Sequence, residues 1–249
     1  MDYNAFALDT ITPACTNMPS LFVQAFSFLR SMIHFFMQQN REAHIHYLVA
    51  GIGGWLGIFP LVNAAHQFGS AQTVNLMELV IGLFGGNWKT VLLHGVGFML
   101  YVLAIFLATW LPKHTRLNTK LLALGIDGLA CLAMWRFPIE GNLPLMFYLY
   151  PTLFAMPFQW CAFVGAYGYK NSTIFSSNNV RQLVSALTEV WANGDKSQVL
   201  KAKFMGATLL FFYAGVTAGW FCWRFCGNAG FLGAFVPIVT AGVMEIKYI

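Results

Sequence analysis

Apolar residues in this chain gather into long runs separated by short polar gaps. Six runs stand out, at 47–65, 89–111, 120–137, 143–169, 202–225 and 229–246. Runs of about 17–25 residues are what an α-helix needs to cross about 30 Å of hydrocarbon. Lipid offers backbone groups no hydrogen-bond partners, so a span must be a helix or part of a closed barrel. Nothing in the runs alternates with the period of two that a barrel requires. Two further segments, 73–86 and 178–191, begin with polar residues and are shorter; about 14 residues of helix reach only about 20 Å. Ahead of all these, 21–39 carries Gln24, Ser27, Arg30, Ser31, His34 and Gln38 as a narrow stripe on an otherwise apolar segment. That spacing predicts an amphipathic helix, lying in the interface or packed along the bundle, and a seventh crossing stays open.

The order of segments repeats. A shift of about 104 residues superimposes long run, polar linker, short segment, long run, long run. Phe68-Gly69-Ser70-Ala71-Gln72-Thr73-Val74-Asn75-Leu76 then falls opposite Ser172-Thr173-Ile174-Phe175-Ser176-Ser177-Asn178-Asn179-Val180. Both short segments end near a tryptophan, Trp88 and Trp191. Few letters coincide, so the order of elements carries the repeat. It divides the chain into an N-terminal tail and amphipathic helix at 1–46, a first membrane repeat at 47–142 and a second at 143–249.

Composition strengthens the membrane assignment. The 249 residues are 58% hydrophobic and 9% charged, against about 25% charged in soluble domains. The net charge of +5 sits in the gaps between apolar runs, where membrane topology places it, so nucleic acid is not an expected partner. If both short segments cross, the two sides hold seven and five cations. If each turns back instead, one side holds Arg41, Lys113, Arg116, Lys120, Lys170, Lys196, Lys201, Lys203 and Lys247, and the other Lys89, Arg136 and Arg224. Nine against three fits the positive-inside rule and puts the C-terminus in the cytoplasm. Each half then has three crossings, so the halves insert upside down relative to each other. The expected fold is an all-α polytopic membrane protein: about six transmembrane helices and two short re-entrant helices in an inverted repeat. Interrupted helices in inverted repeats build transporters, with the solute held at helix starts near the midplane.

Candidate chemistry follows from polar residues in apolar surroundings. Gln72, Thr73 and Asn75 open the first short segment; Ser176, Ser177, Asn178 and Asn179 open the second. Ser, Thr and Asn also cap helices, and capping explains one residue at each start but not a cluster at both. Glu78, His94, Asp127 and Arg181 are ionisable residues within apolar segments, costly there unless they face a partner or cavity. Arg181 is a candidate anion ligand, and Glu78, Asp127 and His94 are candidates for proton or ion coupling; Glu78 and Arg181 could also pair. Glycines at 51, 53, 54 and 57, and the small residues Ala214, Gly215, Ala218 and Gly219, suit close helix packing. The five cysteines include Cys222 and Cys226, four apart; two ligands do not make a metal site, and no cofactor is expected. No nucleophile–base motif or phosphate loop occurs, so an enzyme is not expected.

The 68–76 segment resembles the "F-x-x-x-x-T-G-N" stretch of the YoaK-like bacterial membrane family, domain of unknown function 1275. Ala155-Met156-Pro157-Phe158-Gln159 is similar to the family's "A-M-G-x-Q-N", and Ser177-Asn178-Asn179 to its second "T-G-N". Here Val74 and Asn178 replace the family's glycines, Trp160 its Asn, and Gly57 falls where an Asp often stands. The resemblance implies a multi-pass protein of the bacterial inner membrane and brings no substrate with it. The leading expectation is a small-solute transporter, anions among its candidate solutes, with a site at the starts of the short helices. A non-transporting scaffold or accessory subunit and an aquaporin-like channel are the alternatives, and self-association stays open.

Overall fold

A computed structural model describes residues 40–63, 67–137, 144 and 146–247; the expected amphipathic helix at 21–39 lies outside them. From Arg41 onward the chain is a bundle of helices. α1 (Arg41–Gly57) runs into a short turn of helix, α2 (Phe59–Val62). After them come α3 (Gln72–Phe84), α4 (Trp88–His114), α5 (Thr119–Arg136) and α6 (Met146–Ala162). A two-stranded hairpin, β1 (Gly165–Ala166) and β2 (Tyr169–Lys170), leads to α7 (Ser177–Trp191), α8 (Val199–Cys226) and α9 (Phe235–Ile246). Short 3-10 turns, Lys196–Gln198 and Gly227–Ala234, precede α8 and α9.

Among the described residues, three stretches are long and apolar enough to cross a membrane: Arg41–Val62, Trp88–His114 and Lys196–Ile246, the last bent at Gly227. The remaining expected spans are shorter or more charged. α5 has 18 residues but includes Lys120, Asp127 and Arg136, and α6 has 17. The apolar run at 143–169 is not one helix. α6 ends at Ala162, and Gly165 (φ 155°) and Gly168 (φ 78°) turn the chain into the hairpin.

The buried interior is mostly apolar, with a minority of polar residues such as Ser70, Gln159 and Thr208 among the helices, as expected where close packing and interhelical hydrogen bonds rather than hydrophobic contrast join helices. Phe59 packs edge-on against Phe231 (4.9 Å between ring centres) and Phe137, and at a tilt against Tyr148. α1 and α8 run side by side in the same direction: Tyr47 meets Phe204 and Phe211, Gly54 meets Phe212, and Trp55 meets Gly219. Glycines set this approach, because a Cβ on Gly215 would fall on the Gly51 carbonyl oxygen. α4 and α6 also run parallel, through Leu93–Tyr150 and Gly97–Leu153. By contrast α1 and α6 are antiparallel, Val49 meeting Gln159 and Phe59 meeting Tyr148. So are α5 and α9, through Lys120–Glu245, Leu124–Gly242 and Gly128–Phe235.

Each short helix folds back on the long helix that follows it. α3 turns at Gly85–Gly86 and lies on α4, Gly82 against Thr90. Its start reaches only as far as His94 and Gly97, well short of the far end of α4. α7 turns at Gly194 and lies on α8, and the linker before it reaches Thr208. The starts of both short helices therefore sit deep along their long partners, and their ends lie near the partners' first residues.

Candidate functional site

The two linkers that lead into α3 and α7 meet inside the bundle. Ser70 Oγ donates to the Ile174 carbonyl at 3.2 Å, both residues being buried. The first linker is held by the Gly69 amide, which donates to the Gly57 carbonyl at 2.9 Å, and by Thr152 of α6, whose side chain fills the space beside Gly69. The second is held by a buried knot: Gln159 Nε2 donates to the Val49 carbonyl (3.1 Å) and to Thr173 Oγ1 (2.9 Å). Asn171 Nδ2 donates to Thr208 Oγ1 at 2.7 Å. α1 accommodates this knot because Gly53 has no side chain where the Thr173 carbonyl passes.

Beside this junction lies a cavity of about 580 Å³. Phe68, Ser70 and Ala71 face it from the first linker, Ile174 to Asn178 from the second, and Phe212, Tyr213 and Val216 from α8. Neither helix start has a side-chain cap: Ala71 precedes α3, and Ser176 makes no capping bond to α7. First-turn N–H groups of a helix have no partner within it, and together with the helix dipole they favour negative charge.

The sequence-predicted residues divide by position. Ser177 and Asn178 face the cavity. Asn75 and Asn179 are buried and engaged elsewhere. Asn75 Nδ2 donates to the His94 carbonyl (3.1 Å) and its Oδ1 lies 3.0 Å from His94 Nδ1, locking α3 to α4. Asn179 Nδ2 donates to the Ser172 carbonyl and its Oδ1 accepts from the Ser172 amide (3.2 Å), closing the linker before α7. Gln72 is half-buried and neither of its amide atoms has a hydrogen-bond partner. Thr73 and Glu78 are exposed on α3. Arg181 donates to Asn178 Oδ1 at 3.0 Å and does not pair with Glu78, while Lys120 pairs with Glu42 and Glu245. Asp127 is fully buried in α5 with neither carboxylate oxygen hydrogen-bonded.

Polar residues that the sequence did not single out complete the junction: Ser172, Thr173 and Thr208, with Gln159 visible only through the family resemblance. A second, larger pocket of about 810 Å³ lies where the hairpin, α4, α6, α7 and α8 come together. Asn178 borders both pockets. Lys170 and Lys201 line the larger one with Arg181, and only Arg181 was picked out by its place in an apolar segment.

A bundle of apolar helices with buried polar linkers is the architecture of an α-helical membrane protein. The family profile described as "Protein of unknown function (DUF1275)" matches residues 45–244, and the chain belongs to that family. No curated protein and no solved structure matches it.

Proposed function

We propose that this protein is a small-solute transporter of the cell membrane, built as an inverted repeat and suited to anions. The observation that carries the reading is the cavity of about 580 Å³ bordered by the starts of both short helices. Uncapped starts offer N–H groups and positive dipole ends to a solute, and Ser177 and Asn178 add side-chain donors.

Three relationships support the repeat. Ser70 and Ile174, and likewise Asn75 and Asn179, stand 104 residues apart, and each pair occupies corresponding places at the two linkers. Corresponding helices are antiparallel, α1 to α6 and α5 to α9. The long-helix pairs are exchanged between halves, α1 with α8 and α6 with α4. A half-helix reading of α3 and α7 leaves nine cations at one end of the bundle and three at the other. That assigns the lysine-rich end, with the C-terminus, to the cytoplasm of a bacterial inner membrane.

The test is flux through purified protein in liposomes, screened with inorganic and small organic anions under imposed gradients. Saturable movement that Asn178→Ala weakens is expected. If no solute moves under any gradient, the protein is a scaffold or accessory subunit instead. Single cysteines placed at Leu76 and Trp88 test the half-helix separately. Reaction of the two from opposite membrane faces through a sealed α3 would overturn it.

A further inference from the structure

We propose that the pocket walled by Lys170, Arg181 and Lys201 binds a hydroxylated phosphate ester. The three cations come from three elements, β2, α7 and α8, and line one pocket of about 810 Å³ to which no Asp or Glu contributes. None takes part in an ion pair among the described residues. Like charges gathered in one wall repel each other, so the fold alone gains nothing by collecting them. The first half shows that the fold does not require them: Met77 stands 104 residues before Arg181, on α3. Lysine and arginine together are the side chains that bind phosphate, arginine through paired donors and lysine as a point charge.

The rest of the lining narrows the ligand. Asn171 is buried beside Lys170, and its Oδ1 has no hydrogen-bond partner while its Nδ2 is committed to Thr208. A free buried acceptor calls for a donor, and a ligand hydroxyl supplies one. Trp160, Cys161 and Val164 form an apolar wall fit for the carbon body of an ester rather than a bare inorganic ion. The ends of α4 and α6 and the start of α8 border the pocket, placing it at the lysine-rich end of the bundle. Either a soluble phosphate ester or the headgroup of a hydroxylated phospholipid carries this chemistry. The claim concerns binding and stands whether or not the protein transports.

The experiment uses the full chain, delipidated in a neutral detergent. Melting is followed against glycerol 1-phosphate, with sodium chloride matched for ionic strength. In parallel, the chain is placed in phosphatidylcholine nanodiscs with and without phosphatidylglycerol, and retained lipid is counted by native mass spectrometry. A saturable response is expected in one arm, weakened about tenfold or more by Arg181→Gln and by Lys201→Gln and unchanged by Lys89→Gln at the opposite end of α4. A response to phosphatidylglycerol alone identifies a lipid headgroup site; a response to glycerol 1-phosphate identifies a soluble ligand. Arg181 is exposed, so its variant is expected to fold, and size exclusion checks this. Flat responses in both arms, an equal response to chloride, or variants that bind as the parent does would overturn the proposal.

Discussion

Ser70 and Ile174 touch although 104 residues separate them, the hydroxyl of one donating to the carbonyl of the other at 3.2 Å. The bond ties the two linkers at the edge of the cavity that both border, where both residues are buried. Removing the hydroxyl leaves the Ile174 carbonyl without this donor, and an orphaned buried acceptor costs about 1–3 kcal/mol. Ser70→Ala is therefore expected to lower the melting temperature in detergent, while Ser70→Thr, which keeps the donor, lowers it less. Equal losses in the two variants would show that space rather than the bond matters there.

Asn178 and Asn179 are neighbours with opposite predicted behaviour. Asn179 is buried and makes two bonds to the Ser172 backbone, so Asn179→Ala is expected to cost about 2 kcal/mol or more. Asn178 is exposed and borders two pockets, and its side-chain oxygen accepts a hydrogen bond from Arg181. Asn178→Ala is expected to leave stability within about 0.5 kcal/mol of the parent and to change solute flux. Thermal melts of the two variants side by side, followed by flux for Asn178→Ala, check both halves of the statement.

The contrast shows how far the sequence reaches. Hydropathy located α4, α5 and α8 to within a few residues, because each is one unbroken apolar run between polar gaps. It failed at 163–170, where Phe163, Val164, Tyr167 and Tyr169 keep the run apolar through a hairpin tucked among helices. Only the glycines at 165 and 168 hinted at a turn. The polar clusters at the starts of α3 and α7 were legible as clusters. Which member faces a cavity and which locks a backbone depends on partners 7 to 19 residues away, and that spacing is set by the tertiary fold. Lys170 and Lys201 read as ordinary gap cations until α7 and α8 brought them beside Arg181.

The contact between α1 and α8 is backbone on backbone, and it should be intolerant of a single methyl. Gly215→Ala would drive its Cβ into the Gly51 carbonyl oxygen, and neither backbone can yield without shifting a helix. Overpacking of this kind costs about 1–3 kcal/mol. Gly125→Ala on α5 meets nothing within 4 Å and replaces a weak helix former, so it is expected to be neutral or to stabilise by up to about 1 kcal/mol. Melting temperatures of the two variants, measured in the same detergent, decide the matter; similar losses in both would refute the packing argument.

Asp127 tests whether a buried carboxylate is kept for stability or for work. It is fully buried in α5, accepts no hydrogen bond and has no cation beside it in an ion pair. Burying an unpaired polar group is unfavourable, so the residue contributes no bond whose loss would unfold the bundle. Asp127→Asn keeps the shape and removes the ability to carry charge. It is expected to match or exceed the parent in melting temperature. If the proposed transport is coupled to protons through this position, the same variant abolishes uptake driven by a pH gradient while leaving exchange of solute for solute intact. A marked drop in melting temperature would instead assign Asp127 a structural partner. Unchanged pH-driven uptake would remove it from the coupling path.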